Sequence, residues 1–204
     1  MRDYSQNKEG ILLKELFDKI GTESRYAVEF GAGDGVSLSN IKGLMEIGWE
    51  GLQMEGIVEP TSNVKQEFIT KDNINDLFKK YNVPANVDLV SIDIDGNDYW
   101  VWKELNYAPN VVIIEYNSNF GVGEKYALIY NEKHVFDGFY SASISAYIEL
   151  AKAKGYFLYR EVNFCNLVFV KDKFKGIVDE LNPAILDLPK AHHGGKQLNR
   201  FTKV

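Results

Sequence analysis

An α/β fold built on a mainly parallel sheet is predicted by three features of this sequence. Short β-rich runs alternate with helical stretches over most of the chain. The first apolar run leads straight into a glycine turn, Gly31-Ala32-Gly33-Asp34-Gly35. Two later apolar runs end in carboxylates, and the carboxyl ends of parallel strands are where open α/β sheets bind ligands.

The elements follow in order. Residues 8–20 place Ile11, Leu12, Glu15, Leu16 and Ile20 at helical spacing, and Gly21 stops them. Residues 26–30 are a short apolar strand. Residues 37–47 read as a helix ending at Gly48, and 51–55 as a second strand. Residues 65–69 give a third strand, and 73–81 a helix with Asp72 as its N-cap. Residues 87–94 are a strong strand and 99–105 a short helix. Residues 111–116 are the most apolar strand, as suits a sheet centre. The stretch from 117 to 140 is polar, aromatic and irregular, and so long a loop is usually functional. Residues 141–154 are an amphipathic helix stopped by Gly155, with Ser141 as its N-cap. Residues 156–160 and 163–170 read as a closing hairpin, and 171–204 as a weakly patterned tail with Pro183, Pro189 and Gly194-Gly195. Five βα-type strands, a helix and a hairpin suit a Rossmann-like sheet with one reversed strand. Nicotinamide-type folds continue with parallel βα units instead.

A chain of 204 residues fits one domain, read as an N-terminal helix (1–25), a core (26–170) and the tail. The net charge of -6 opposes a nucleic-acid partner. No run is apolar enough to span a bilayer and the first residues are not a secretory signal, so a cytoplasmic protein is expected. The lone Cys165 excludes an internal disulfide and reads as a small buried hydrophobe, with a nucleophile the lesser alternative.

At the glycine turn, a side chain at Gly31 or Gly33 would occupy ligand volume, and exposed amides with a following helix N-terminus favour an anionic group. The G-x-G-x-G spacing departs from the dinucleotide pattern. Glu29, just before the turn, suits the amino group of an amino-acid-like cofactor. Glu55, twenty residues after Gly35 at the end of the next strand, suits two ribose hydroxyls.

Asp93 and Asp95 alternate with Ile92 and Ile94, so they point to one side of the sheet. Three roles are open. Asp95 serves as a general base. Asp93 or Asp95 holds the cofactor amino group or the substrate. Asp95, Asn97 and Glu115 form an oxygen cage for a metal such as Mg²⁺. The competing view is a pair of turn-forming acids. Glu115 and Asn117 are expected to face the same crevice, with Tyr116 turned away. His134 in the long loop is a second candidate base. His192 and His193 in the tail are read as a lid, a metal contact or loose chain. Phe120, Tyr126, Tyr130, Phe136, Phe139 and Tyr140 supply either substrate walls or ordinary core.

The runs VEFGAGDG, VDLVSIDIDGNDYWVW, VVIIEYN and SASISAYIELAKAKGY together resemble the FkbM-like branch of class I S-adenosylmethionine (SAM)-dependent methyltransferases, over residues 26–170. The resemblance implies a seven-stranded sheet of order 3-2-1-4-5-7-6. It makes Gly31, Ala32, Gly33, Asp34 and Gly35 the cofactor loop, Glu29 the first-motif acid and Glu55 the ribose acceptor, with Asp93 and Asp95 at the reaction site. It further implies O-methylation of a small-molecule acceptor, such as a sugar of a surface polysaccharide or natural product. One departure stands out: only residues 56–64, interrupted by Pro60, are available for the helix between the second and third strands. The adenine is then either exposed or covered by a second subunit, such as another copy of the chain. Other SAM-consuming chemistry (a lyase or aminopropyl transferase), a non-catalytic SAM-fold subunit with an apolar face at the missing helix, and a nicotinamide dehydrogenase are the competing functions.

Overall fold

A computed structural model of the chain describes residues 1–56, 64–188 and 196–204. Pro60, most of the segment 56–64, Pro189, His192, His193 and Gly194-Gly195 lie outside the described residues, and with them the expectations placed there.

The main sheet has seven strands: β1 (Tyr26–Phe30), β2 (Glu50–Glu55), β3 (Val64–Gln66), β4 (Leu89–Ile92), β5 (Val111–Glu115), β7 (Tyr156–Val162) and β8 (Asn166–Lys171). Their spatial order is β3-β2-β1-β4-β5-β8-β7. The first five are parallel, and β8 alone runs against them, pairing antiparallel with β5 and β7. That is the expected order with one reversed strand. β1, β4 and β5 are almost wholly apolar because both faces are covered. One face carries Ala27, Leu89, Val111, Ile113 and Val168 against α1 (Glu9–Ile20) and α2 (Lys42–Glu46). The other carries Val28, Val90, Val112 and Phe169 against α3 (Ile74–Lys80), α4 (Asp98–Glu104) and α5 (Ile144–Ala153). Trp102 and Tyr147 are fully buried in that second layer.

Asp88 ties the strands together at the end away from the glycine turn. Its buried carboxylate accepts from the backbone amides of Glu23, Ser24 and Arg25 and from Asn110 Nδ2. Four donors on one anion explain how a carboxylate sits in the core.

Several boundaries move, each for a local reason. The helix expected over 37–47 shrinks to five residues, because Asp34 and Glu29 draw residues 36–40 into turns. The third strand is three residues long and begins at Val64. Asp72 does not cap α3; Asn73 occupies the N-cap, and Asp72 instead pairs with Lys71. Ser143, not Ser141, caps α5, accepting from the Ala146 amide. Ser141 has a positive φ of 53° and donates to the Glu115 carbonyl.

The expected tail and loop meet. β9 (Phe201–Lys203) pairs antiparallel with β6 (Tyr126–Leu128), and Phe120, Leu128, Phe139 and Phe201 make a small core there. The loop aromatics thus divide: Phe120 and Phe139 are core, whereas Phe136 and Tyr140 reach the cavity described next. Among the described residues no helix is long and apolar enough to cross a membrane.

Candidate active site

A cavity of about 630 Å³ opens at the carboxyl ends of β1, β2, β4 and β5. Such volumes are typical of small-molecule and cofactor sites. Its wall includes Gly31, Ala32, Gly33, Glu55, Asp93, Asp95, Asn97, Glu115 and His134, which converge from five separate stretches of chain. Asp34 and Gly35 are not among the lining residues.

The three glycines serve different ends. Gly31 has φ +69°, and a Cβ there would lie 1.4 Å from the Asp93 carbonyl oxygen. The backbone just past β4 by itself requires glycine here, at a position that also lines the cavity. Gly35, at φ +76°, is pressed against Val64 and Gln53. Gly33, at φ +53°, has nothing within 4 Å of its Cβ position, so that position faces open space. Asp34 is a turn-former: its carboxylate accepts from the amides of Val36 and Ser37 and from Ser37 Oγ. These bonds, from the Val36 amide first, hold its pKa below the usual carboxylate range. No helix begins at the loop; α2 starts only at Lys42.

Glu29 is 3% exposed and its oxygens are engaged within the protein, by Ser39 Oγ (2.6 Å), the Asn40 amide (2.7 Å) and Gln53 Nε2 (2.9 Å). Burial raises its pKa, and these donors oppose the rise. It fixes the return of the glycine loop, where an amino-group ligand had been expected. Gln53, Ser39 and Asn40 complete this network and were missed in the sequence, because isolated polar residues in a strand or turn carry no signal. Glu55 sits at the end of β2, accepting from the amides of Gly33 (3.1 Å) and Gly56 (2.6 Å).

Beyond β4 the chain turns sharply. Asp98, fully buried, accepts from the amides of Ile94 and Gly96, which puts Asp95 at φ +54° on the cavity rim. Burial lifts the Asp98 carboxyl to about 6 despite those two bonds. The loop after β5 clamps the turn. Asn97 exchanges hydrogen bonds with the backbone of Asn131, and the Ser141 amide donates to the Gly96 carbonyl. The His134 ring lies where a Gly96 Cβ would be, 2.1 Å from its Cδ2. His134 Nε2 is 3.0 Å from the Asp95 carbonyl, which can only accept, so Nε2 carries the proton. Nδ1 is then the nitrogen left for proton transfer.

Asp93, Asp95 and Glu115 each place one oxygen within 4.8 Å of the others. Asp93 is pushed well above the carboxylate range by desolvation, then by the charge of Asp98. Glu115 is pushed up by desolvation, then by Asp93. Asp95 rises through desolvation and Glu55, with His134 opposing. Of the residues of the expected cage, Asp95 and Glu115 lie together with Asp93, whereas the Asn97 side chain is tied to Asn131. Asn117 is also corrected. It is buried, bonded to Tyr140 and Asn119, and absent from the cavity wall, whereas Tyr116 lines it. Cys165 is half-buried on that wall and not in the core. Desolvation pushes its thiol up to about 12, which disfavours a thiolate nucleophile.

The raised acids give a stability prediction. A carboxyl with a folded-state pKa above its unfolded value holds its proton longer when folded, so stability falls as pH rises between the two values. For Asp98 the window runs from about 4, the ordinary carboxylate value, to about 6; Glu29, Asp93 and Glu115 are shifted in the same direction. The melting temperature is expected to be higher at about pH 4.5 than at about pH 6.5, measured by calorimetric scanning at fixed ionic strength. A flat or rising profile would show that these carboxyls are not raised.

The strand order, the single reversed strand and a cavity at the carboxyl edge define the Rossmann-like class I methyltransferase fold. Among solved structures the chain is similar to the N-terminal domain of EvdMO1 with S-adenosylhomocysteine bound, at 12% identity over 82% of each chain and a TM-score of 0.49. It is also similar to a SAM-dependent methyltransferase from Aquifex aeolicus, at 14% identity over 80% of this chain and 88% of that one, TM-score 0.42. A third is the methyltransferase (CMeT) domain of the citrinin polyketide synthase, at 10% identity over 80% of this chain and 51% of that one, TM-score 0.41. No protein-family model and no curated protein matches the sequence.

Proposed function

We propose that this chain is a SAM-dependent methyltransferase of the FkbM-like branch, acting in the cytoplasm on a hydroxyl of a small acceptor such as a sugar. The observation that carries the reading is the cavity itself. It joins a bare backbone position at Gly33, an acid at the end of β2 and a group of acids at the ends of β4 and β5. SAM, when bound, supplies an electrophilic methyl group on a sulfonium. The chain's residues do the rest. Gly33 lets a ligand approach the main chain, and Glu55 is placed to accept from ribose hydroxyls. The acidic wall, with no Lys or Arg in it among the described residues, favours a cationic cofactor. Asp93 faces the cofactor's amino group or the acceptor. Asp95 on the rim takes the acceptor proton, and His134 Nδ1 is the second base; Mg²⁺ is the candidate second cofactor. Tyr116, Phe136, Tyr140 and Phe164 provide a wall on which a sugar ring packs.

The test is a transfer assay with methyl-labelled SAM, a panel of mono- and oligosaccharides, and Mg²⁺ present or omitted. Label recovered as a sugar methyl ether supports the reading. S-adenosylhomocysteine absent from every reaction, with SAM cleaved to other products, would replace it with a different SAM-consuming enzyme.

A further inference from the structure

Leu38, Val135, Phe136 and Phe164 line the cavity, yet 64%, 60%, 50% and 37% of their surfaces stay open to solvent. Exposed apolar residues scattered singly are ordinary in a folded protein, but a group of them around one opening is not. The phenylalanines make the contrast. The chain has twelve; nine are buried, and the three exposed ones, Phe68, Phe136 and Phe164, all line this cavity. Phe68 lies against Gly56, next to Glu55, and belongs to the half assigned to the cofactor. The others lie along one connected edge. Ser5 bridges to Leu38, and the Cys165 thiol, beside Phe164, is 3.8 Å from Gln6 Oε1. The Tyr116 amide donates to the Cys165 carbonyl, Asn117 Nδ2 donates to the Tyr140 carbonyl, and Phe136 packs on the Tyr140 ring.

Two of these side chains are held against backbone preference. Leu38 has φ +62° and Phe164 φ +58°. Left-handed backbone suits glycine or asparagine and disfavours a large side chain. Among the described residues Leu38 and Phe164 are the only large apolar ones in that conformation. Neither is buried in return, so the fold alone does not account for them. Backbone outliers of this kind collect at ligand sites. The inner wall sets the other half of the ligand. It carries Glu55, Asp93, Asp95 and Glu115 and, among the described residues, no lysine or arginine. A phosphate or carboxylate on an acceptor would be repelled there with no counter-charge.

We propose that the acceptor is a neutral amphiphile. Its hydroxyl-bearing head enters the cavity, and an alkyl or aryl group rests on Leu38, Val135, Phe136 and Phe164. A bare sugar has only a small C–H face to offer these side chains, and a phosphate-linked lipid is opposed by the acids. This deepens the methyltransferase reading and rests on it for the reaction, but the binding of the amphiphile stands apart from it.

The test uses N-phenyl-1-naphthylamine, a neutral apolar dye whose fluorescence rises on leaving water. Hexyl and methyl β-D-glucopyranosides compete for it on the full chain, with S-adenosylhomocysteine present or omitted. Hexyl glucoside, kept below its micelle concentration, should displace the dye at about a tenfold lower concentration than methyl glucoside, since each methylene buried on the rim tightens binding. Leu38→Asn and Phe164→Asn should each weaken the dye and hexyl glucoside by about threefold, and together by about tenfold. Both variants should melt at the parent's temperature or above it, because asparagine accepts left-handed backbone. Binding lost from a chain that is no less stable does not come from misfolding. Val122→Asn, at an exposed apolar position outside the cavity wall, should bind like the parent. Absence of dye binding, equal displacement by the two glucosides, or binding unchanged in the double variant overturns the proposal. So does a parent dimer that the double variant turns into a monomer in sedimentation, which would make the rim a contact between copies. Retention on phosphatidylcholine vesicles that the double variant loses overturns it too, in favour of a lipid surface. S-adenosylhomocysteine binding without any preference for the hexyl chain sinks this inference alone. A hexyl preference without S-adenosylhomocysteine binding keeps the rim site and sinks the methyltransferase reading.

Discussion

Gly31→Ala is expected to destabilise the chain by about 4 kcal/mol or more, a large part of the roughly 5–15 kcal/mol that holds a domain together. Two costs add. The residue is at φ +69°, where an L side chain pays about 1–2 kcal/mol. Its Cβ would also fall 1.4 Å from the Asp93 carbonyl oxygen, which is backbone and cannot swing aside. Relief requires β1 and β4, the paired strands at the sheet centre, to part where the cavity begins. Urea unfolding of the variant measures the loss. A change below about 1 kcal/mol would show that the two strand ends do not approach this closely.

Gly33→Leu should do the opposite: little to the fold and much to the site. Its φ of +53° costs about 1–2 kcal/mol, but no atom lies within 4 Å of the added Cβ. The new side chain enters the cavity beside Glu55, whose carboxylate accepts from the Gly33 amide. SAM affinity is expected to fall by about a hundredfold, which is about 2.7 kcal/mol. The pair of variants separates two reasons for glycine that the motif merges. One glycine lets two strand ends meet; the other leaves room for a ligand.

That difference marks what could be read from the sequence. Strand positions and their order were legible because buried parallel strands are continuous apolar runs, and because the final hairpin signalled a reversed strand. The acids were legible as candidates, since a carboxylate ending an apolar strand is conspicuous. Their partners were not. Glu29 is saturated by Ser39, Asn40 and Gln53, brought in from elsewhere in the chain. Strict alternation put Asp93 and Asp95 on one side, and both do line the cavity, although β4 ends at Ile92 and Asp95 is itself left-handed in a turn that Asp98 organises. Alternation failed only at Tyr116 and Asn117, because the strand stops at Glu115. The pairing of β6 with β9 joins residues more than seventy positions apart and leaves no local trace.

The central claim is that the cavity is a SAM site, and calorimetric titration of the chain with SAM and with S-adenosylhomocysteine tests it most directly. The expected result is saturable one-to-one binding of both ligands in the micromolar range, lost in Gly33→Leu while that variant still unfolds cooperatively. No heat from either ligand, with or without Mg²⁺, or binding unchanged in Gly33→Leu, would contradict it.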